Sequence, residues 1–386
     1  MSKNVKMCAI TTISKTMDWF MVDSMRNLSK NGYDITLVSN MDDAFVQRNE
    51  DYAKCVNIPM NRGVSPKDLF VIPWKLYKLF RREKYDIIYY TTPNAALYAS
   101  IAGLFAGVKC RYYNQWGIRF VSLSGIKRMV FKFIEKLTCM FSTTIRSASP
   151  LNMQLAIDEG LCNKNKISVI GIGGTIGVSL SECDEVNVEE AKSNLRTKYG
   201  IKEGAFVYGY VGRINADKGI NELITAFTQL QRKYADIYLT LVGMIDDANP
   251  IDEENMTLAK NNDHIIFTGN IPSNEVYSHM AMFDTLVHPT YREGFGKVLQ
   301  EAMGVRLPII TTNIPGPSEV VESGVSGILV NPKDSKSLYK KMELLYSDED
   351  LRKSLSVEGR KRAETYFDRP IMLKNILDDI NATLGM

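Results

Sequence analysis

The sequence predicts an α/β protein that folds as two doubly wound parallel sheets, each with helices on both faces. Short runs of β-branched and aromatic residues alternate with helical patterns along most of the chain, which is typical of parallel sheets. A polar, acidic stretch over residues 179–204 interrupts this alternation once. The 386 residues are also more than one hydrophobic core usually fills. Together these observations favour two domains.

The interruption sets the predicted domain boundaries. We expect a first Rossmann-like domain over residues 1–178, a linker over 179–204 and a second Rossmann-like domain over 205–366. Residues 367–386 are expected to form a helix that packs back on the first domain, because Tyr366–Pro370 interrupts the helical pattern of the C-terminus. Ligands of such sheets bind outside the carboxyl ends of the strands, so we expect a cleft between the two domains.

In the first domain, each strand-like run is followed by a helical pattern. The predicted strands, rich in β-branched and aromatic residues, are Val5–Ile13, Asp34–Ser39, Asp86–Thr92, Lys109–Asn114, Thr143–Ala148 and Ile167–Ile172. The predicted helices, with apolar residues at three- and four-residue spacing, are Met17–Lys30, Lys67–Lys84, Ala95–Ala106, Ile126–Phe141 and Leu151–Glu159. Gly32 is expected to end the first of these helices.

The second domain repeats the same alternation after the linker. Its predicted strands are Ala205–Val211, Ile237–Val242, His264–Thr268, Thr285–His288 and Pro308–Thr312. Its predicted helices are Ile220–Tyr234, Asn274–Met282 and Val298–Gly304, and the C-terminal region Leu338–Met386 is also helical.

The composition excludes several classes of protein. Six cysteines are scattered without a CxxC pair, which indicates reduced thiols in a cytoplasmic protein rather than a disulfide or zinc framework. No window of 18 residues is uninterruptedly apolar, so no transmembrane helix is expected. The basic residues of the first half suit an anionic partner, but no recognition motif or aromatic platform for nucleic acid accompanies them.

One candidate phosphate site follows the first strand of the second domain. The strand runs into Gly212-Arg213, and Asp217-Lys218-Gly219 then leads into a helix. A glycine lets the backbone approach a diphosphate, arginine can grip two oxygens as a fork, and lysine acts as a point charge. A surface loop with two unrelated cations would give the same pattern.

A second candidate loop, Thr290–Lys297, lies between a strand and a helix. Gly294 and Gly296 allow backbone amides to approach a phosphate at the helix start, where the helix dipole also favours an anion. Glu293 ends the strand, and Glu301 lies one turn into the helix. Carboxylates commonly accept hydrogen bonds from sugar and ribose hydroxyls, so this spacing indicates a sugar-nucleotide site.

These two loops resemble the carboxy-terminal donor domain of the retaining family-4 glycosyltransferases, which have the two-Rossmann-domain GT-B fold. Pro308-Ile309-Ile310, Gly316, Glu319-Val320-Val321 and Gly324–Val330 are similar to the closing strands of that family. The resemblance covers residues 205–366 well and the amino-terminal half more weakly. It implies a fold in which two Rossmann-like domains face a cleft and a C-terminal helix crosses between them.

The resemblance also implies roles for individual residues. Arg213 and Lys218 would hold the donor diphosphate without a metal or other cofactor, and Glu293 would contact the transferred sugar. The remaining implied donor-binding residues are Gly212, Asn270, Ile271, Gly294, Phe295, Gly296, Lys297 and Glu301. Among them, Gly294, Phe295 and Gly296 would present amides, Glu301 would bind ribose, and Asn270-Ile271 would hold the base, with a UDP-sugar as the expected donor.

The amino-terminal half departs from the family pattern at two places. Many members carry a Gly-Gly loop after the first strand, where this chain has Thr12-Ile13-Ser14-Lys15-Thr16. Many also have a histidine after the fourth strand, where Trp116 stands here. Ser14, Lys15, Thr16 and Trp116 are candidates for binding the acceptor sugar. The alternatives are an ordinary strand–helix loop and a packing tryptophan. The segment around Trp116 is similar to a branch that makes bacterial capsule, exopolysaccharide and O-antigen.

The charge distribution indicates where the acceptor is located. Residues 1–180 hold 24 Lys and Arg against 13 Asp and Glu, whereas residues 181–386 hold 23 against 31. The predicted helix Ile126–Phe141 combines an apolar stripe with Lys127, Arg128, Lys132 and Lys136. Such a helix can bind the inner face of the cytoplasmic membrane and bring the enzyme to a lipid-linked acceptor. A helix that packs its stripe on the core is the alternative.

The expected activity is transfer of a sugar from a nucleotide-diphosphate donor to a glycan or polyprenyl-diphosphate-linked acceptor with retention of configuration. Two other functions fit the same fold. A sugar-nucleotide epimerase would convert the donor without an acceptor, and a non-catalytic sugar-nucleotide-binding subunit would bind the donor without turnover. The carboxylates Glu293 and Glu301 argue against the non-catalytic subunit.

Overall fold

The chain consists of two compact units in the structure, which is a computed structural model. The described residues are 4–61 and 66–386, apart from the side chain of Ser122. One unit comprises Met1–Ile176 together with Pro370–Met386, and the other comprises Gly177–Arg369. Each unit contains one sheet in which all strand pairs are parallel. The predicted class of two doubly wound α/β domains is therefore confirmed.

In the described part of the first unit, the sheet has seven strands. They are β1 (Val5–Ile13), β2 (Tyr33–Asn40), β3 (Ala53–Asn57), β4 (Ile87–Tyr90), β5 (Cys110–Gln115), β6 (Thr144–Ser147) and β7 (Ile167–Val169). Their order is β3-β2-β1-β4-β5-β6-β7, so the winding direction reverses at β1. Met7 pairs with Ile35 on one side and Ile87 on the other, and helices bury both faces of this central strand.

Strand β3 is not among the predicted strands. It lies at the edge of the sheet, and of its five residues only Ala53 is buried. An edge strand with polar, half-exposed side chains shows neither a continuous apolar run nor a clean alternation, which are the patterns from which strands are predicted.

Before Gly177, the described residues form seven α-helices. They are α1 (Ser14–Phe20), α2 (Val22–Lys30), α3 (Asp43–Asn49), α4 (Asp68–Glu83), α5 (Pro93–Ala106), α6 (Gly125–Phe141) and α7 (Pro150–Asp158). The predicted helix Met17–Lys30 is divided at Met21 into α1 and α2. Helix α1 begins at Ser14, three residues before the predicted start at Met17. Ser14-Lys15-Thr16 is therefore the first turn of α1 and not a loop, because β1 remains extended through Ile13 and the helix follows directly.

The sheet of the second unit has six strands. They are β8 (Phe206–Val211), β9 (Ile237–Val242), β10 (Ile265–Gly269), β11 (Thr285–His288), β12 (Ile309–Thr312) and β13 (Ile328–Val330). Their order is β10-β9-β8-β11-β12-β13, which reverses between β8 and β11. Ligands of doubly wound sheets bind where the order reverses, at the carboxyl ends of the two neighbouring strands.

The helices of the second unit include two in the stretch predicted as a linker. The full set is α8 (Leu180–Asp184), α9 (Val188–Lys198), α10 (Ile220–Gln231), α11 (Glu253–Lys260), α12 (Val276–Ala281), α13 (Lys297–Gly304), α14 (Pro317–Val320), α15 (Ser335–Ser347) and α16 (Glu349–Arg362). Residues 179–204 thus differ from the predicted linker. Buried Arg196 of α9 donates to the carbonyls of Met282 and Ala205 and pairs with Asp284 at 2.7 Å, which fixes α9 on the second unit.

The last helix, α17 (Arg369–Leu384), belongs to the first unit from Pro370 onward. Asp379 accepts hydrogen bonds from Arg146 Nε at 2.9 Å and from the Tyr112 hydroxyl at 2.5 Å. The Tyr33 hydroxyl donates to Asn381 at 2.6 Å. These contacts join the C-terminus to strands β2, β5 and β6 and make it part of the first unit's core.

We expect Asp379→Asn to lower the free energy of unfolding by about 2 kcal/mol, because it leaves the Arg146 guanidinium without its anionic partner in a mostly buried site. Thermal unfolding followed by circular dichroism measures this change. Asp378→Asn is the matched control, since Asp378 forms an exposed pair with Lys374. Equal melting temperatures for the two variants would contradict an anchoring role for Asp379.

Candidate functional site

The candidate site of the second unit lies at the carboxyl ends of β8 and β11. Gly212 follows β8, and Pro289 follows β11. The two strands are direct neighbours, pairing Thr285 with Tyr208 and Leu286 with Gly209. The two loops predicted from the sequence to bind phosphate therefore begin side by side, at the reversal point of the sheet.

The first loop is held by its own side chains and by the next strand. Gly212 has a φ of +148°, and its amide donates to the Val242 carbonyl at 2.9 Å. The Asn215 side chain accepts from the Lys218 amide at 3.1 Å and closes a short 3-10 turn. Gly219 has a φ of +69°, and a Cβ there would lie 2.0 Å from the Pro289 carbonyl oxygen. Only glycine permits this approach between the two loops.

The second loop is tied to the first by backbone and side-chain contacts. The Tyr291 amide donates to the Asp217 carbonyl at 2.8 Å, and Arg292 pairs with the Asp217 carboxylate at 3.1 Å. From the other side, the Thr312 hydroxyl donates to the Thr290 carbonyl at 2.5 Å. These contacts fix the loop that carries Glu293.

Lys218 and Glu293 are the pair that the two loops bring together. They are 75 positions apart, yet Lys218 Nζ lies 2.5 Å from Glu293 Oε2, with side chains 16% and 24% exposed. Burial by itself would raise the pKa of the Glu293 carboxyl. The attraction of the Lys218 ammonium outweighs that effect, so the pKa lies well below its usual value. Glu293 is therefore ionised near neutral pH.

Arg213 has a different partner. Its side chain is 62% exposed, and its guanidinium lies 2.6 Å from Asp246, which also accepts from Asn215 at 3.0 Å. The hydrogen bond from Asn215 and the charge of Arg213 hold the pKa of Asp246 below its usual value. Asp246 is not among the site residues predicted from the sequence. It lies just beyond β9, the strand next to β8.

The start of α13 places the predicted phosphate amides beside the Lys218–Glu293 pair. Gly296 has a φ of +98° and immediately precedes the helix, and the Gly294 amide donates to Glu293 Oε1 at 3.2 Å. A Cβ on Gly316 would lie 2.9 Å from the Gly294 carbonyl oxygen, so a second close backbone approach shapes this turn. The Phe295 side chain is buried against Phe367.

The remaining donor-site candidates lie farther along α13 and at the sheet edge. Lys297 and Glu301 form an ion pair at 3.1 Å one helical turn apart. Asn270 is exposed and Ile271 half-buried just after β10, two strands away from β8. The structure thus joins Lys218, Glu293 and the start of α13 directly, and places the predicted base-binding residues apart from them.

The acceptor candidates form a separate group in the first unit. Lys15 Nζ lies 4.8 Å from the Trp19 ring centroid within α1. The half-buried Trp116 ring lies 5.7 Å from the Phe20 ring and packs against the core. The structure therefore favours the packing role of Trp116 and brings it to the same helix as Ser14 and Thr16.

Two negative findings concern the described part of the chain. Within residues 4–61 and 66–386, no group of three or more His, Cys, Asp or Glu is arranged to hold a metal ion. In the same residues, no helix combines the length and apolarity that crossing a bilayer requires.

Comparison with known proteins identifies the family. Residues 9–149 match the model described as "Glycosyl transferase 4-like", and residues 191–362 match "Glycosyl transferases group 1". The chain is 32% identical over 384 residues to the capsular polysaccharide biosynthesis glycosyltransferase CapM of Staphylococcus aureus, covering 99% of this chain and 98% of the relative.

Two further proteins are similar at greater distance. A UDP-Gal:alpha-D-GlcNAc-diphosphoundecaprenol alpha-1,3-galactosyltransferase of Escherichia coli is 25% identical and covers 79% of this chain and 78% of its own length. The crystal structure of Anabaena HepE in complex with UDP-glucose superposes with a TM-score of 0.81 at 19% identity, over 98% of this chain and 99% of that chain. The full-length match to CapM, the two family models and the shared architecture lead to one conclusion: the chain belongs to the family-4 glycosyltransferases of GT-B fold.

Proposed function

We propose that the chain transfers a sugar from a nucleotide-diphosphate donor, a UDP-sugar, to a glycan or polyprenyl-diphosphate-linked acceptor, with retention of configuration and without a metal. The observation that carries this proposal is the Lys218–Glu293 ion pair beside the glycine-bearing start of α13. It combines a fixed cation, a carboxylate and helix-terminal amides in one place.

The proposed chemistry follows from where charge develops. As the bond from sugar to diphosphate breaks, the leaving diphosphate gains negative charge and the sugar becomes cationic. Lys218, Arg213 and the amides at the start of α13 are already oriented by the protein, so they stabilise the diphosphate with little reorganisation. In a front-face reaction the departing phosphate oxygen takes the acceptor's proton, so no protein base is required.

Carboxylates hold both proposed diphosphate-binding cations, Lys218 and Arg213, in place. Glu293 holds Lys218, and Asp246 holds Arg213 at 2.6 Å. A diphosphate that binds between them competes with these carboxylates for the cations. Glu293 is then available to accept a hydrogen bond from a sugar hydroxyl, which is the role that the resemblance implies for it.

The proposed donor and acceptor take support from the names of the relatives. The Escherichia coli relative is named for a UDP-sugar donor and a diphosphoundecaprenol-linked acceptor, and the CapM relative for capsular polysaccharide biosynthesis. We therefore place this chain in surface polysaccharide synthesis.

The surface of the first unit supports a peripheral location at the inner face of the cytoplasmic membrane. In helix α6, Ile126, Met129, Phe133 and Met140 are 80%, 71%, 62% and 56% exposed, whereas the opposite side buries Glu135, Thr138 and Cys139. Part of the apolar stripe predicted from the sequence therefore faces solvent, whereas Ile134 and Leu137 are half-buried and pack against the core. We name the four exposed residues the apolar face of α6.

Neighbouring helices extend this surface. Helix α5 packs against both α4 and α6, and Phe70 and Trp74 of α4 are 79% and 56% exposed. The basic side chains Lys75, Lys78, Arg81 and Arg82 of α4 and Lys127 and Lys136 of α6 are exposed as well. Apolar side chains flanked by lysine and arginine are typical of surfaces that bind anionic lipid.

A sugar-nucleotide screen followed by turnover tests the proposed function. UDP-, GDP- and dTDP-sugars are added to the full chain, and the melting temperature is measured. We expect a UDP-sugar at about 100 times its dissociation constant to stabilise the fold by about 2.7 kcal/mol. Transfer is then assayed on an undecaprenyl-diphosphate-linked acceptor, with and without EDTA, and the product anomer is assigned by NMR.

Three outcomes of this screen would contradict the proposal. They are a product with inverted configuration, a requirement for metal, and failure of every sugar nucleotide to stabilise the chain. Conversion of the donor in the absence of acceptor would instead support the epimerase alternative.

A further inference from the structure

His288 is an unexplained polar group under the candidate donor site. It is the last residue of β11, only 1% exposed, and neither ring nitrogen has a hydrogen-bond partner among the described residues. Buried polar groups in folded proteins almost always have partners, so an orphaned imidazole next to a ligand site calls for a functional reason.

The neighbours of His288 connect it to both donor loops. Its ring stacks on Tyr210 at 5.5 Å between centroids and 9° between planes, and the Tyr210 hydroxyl donates to the Arg213 carbonyl at 2.7 Å. Its Nε2 lies 3.6 Å from Glu293 Oε2, just beyond hydrogen-bond distance. The charged groups that face the ring are Glu293 and Lys218.

We infer that His288 is a positioning residue that donates Nε2–H to Glu293 once the donor diphosphate has drawn Lys218 away. This inference rests on the proposed function. In the structure, Lys218 Nζ lies 2.5 Å from Glu293 Oε2 and donates a hydrogen bond to it. When Lys218 turns to phosphate, that oxygen loses its hydrogen bond in a mostly buried place, where an unpaired carboxylate oxygen is costly.

The imidazole closes this gap with a small movement. A shortening of the contact from 3.6 Å to a normal hydrogen-bond length replaces the partner that Glu293 loses. Glu293 then remains ionised and oriented towards the sugar. Burial lowers the pKa of His288, against the attraction of Glu293, so the ring is neutral and has one N–H to donate.

The first readout is the tautomer of His288. The chain has three histidines, so 15N-labelled histidine gives a spectrum simple enough to assign with His288→Gln. UDP is added first, and then whichever of UDP-glucose, UDP-galactose and UDP-N-acetylglucosamine stabilises the wild-type chain most. We expect a neutral ring protonated at Nε2 in the sugar-nucleotide complex. Protonation at Nδ1 in that complex would overturn the inference.

The second readout is a double-mutant cycle on binding, measured by calorimetry with the same UDP and UDP-sugar. We expect His288→Ala to weaken the UDP-sugar about tenfold, the effect of one hydrogen bond to a charged group. UDP also carries the diphosphate that draws Lys218 away, so its affinity should fall as well, and His288→Gln should restore the UDP-sugar to within threefold. In a Glu293→Ala background, His288→Ala should have no further effect, because the group through which it acts is gone.

The cycle distinguishes positioning from packing. A His288→Gln variant as weak as His288→Ala, or an undiminished effect in the Glu293→Ala background, would each overturn the inference. His279→Gln is the matched control, since His279 is a buried histidine whose Nδ1 lies 2.9 Å from the Glu275 carbonyl oxygen, outside the donor loops. If the wild-type chain binds UDP-sugars as expected, these failures concern His288 alone. If it binds none, the proposed function fails and this inference with it.

Discussion

Lys218→Ala is expected to lower kcat about 10³-fold, which is the typical cost of removing a preorganised group that stabilises transition-state charge. Lys218 is less exposed than Arg213, the other cation proposed to bind the diphosphate, and the contact with Glu293 fixes its position. The loss should fall mainly on kcat, because the charge on the leaving diphosphate increases as the reaction proceeds. The measurement is steady-state transfer from the UDP-sugar found in the screen.

The experiment needs a variant that separates charge from packing. Lys218→Met keeps most of the buried stem, so it should lose as much kcat as Lys218→Ala while its melting temperature stays closer to wild type. Lys233→Ala is the matched control. Lys233 lies beyond the C-terminal end of α10 and pairs with Glu343 at 2.7 Å. Lys218 lies next to Gly219, at the other end of the same helix. Wild-type turnover in Lys218→Met would remove the basis of the proposed mechanism.

The double variant Ile126→Glu/Phe133→Glu is expected to weaken binding to anionic vesicles by about 100-fold or more. Burying one large apolar side chain contributes about 1.5–3 kcal/mol, and two such losses exceed the 2.7 kcal/mol that corresponds to a factor of 100. Both side chains belong to the apolar face of α6. Co-sedimentation with phosphatidylglycerol vesicles measures the effect.

Two comparisons make this test specific. Val357→Glu changes a 58% exposed valine of the second unit to the same charged residue and should leave vesicle binding as it is. Binding of the wild-type chain should also fall as salt rises, because the flanking lysines and arginines act through screened electrostatics. Unchanged sedimentation of the double variant would rule out α6 as the membrane-binding helix.

The donor loops illustrate how much of the site can be predicted locally. Gly212-Arg213, Lys218-Gly219 and the loop from Glu293 to Gly296 were identified because glycines and charges at strand ends form a short-range pattern. That pattern does not specify partners. The pairing of Arg213 with Asp246 and the position of His288 under Glu293 depend on which strands are neighbours, and no local feature encodes that order.

The errors have the same origin. The segment around Arg196 was predicted as a linker because α9 is polar. The buried Arg196 guanidinium nevertheless anchors α9 through hydrogen bonds to residues more than 80 positions away. Ser14–Thr16 was predicted as a loop because many members of the family carry a Gly-Gly loop at this place. Strand β1 instead passes directly into α1.

The sequence by itself determined the alternation of strands and helices, the division into two sheets, and which loops carry glycine and charge. These properties depend on residues a few positions apart, whose spacing decides the backbone they can form. Only the tertiary structure decided which charges meet, that Trp116 packs against α1, and that part of the apolar stripe of α6 faces solvent. Those outcomes depend on which element packs on which, and that is set by the free energy of burial summed over the whole fold.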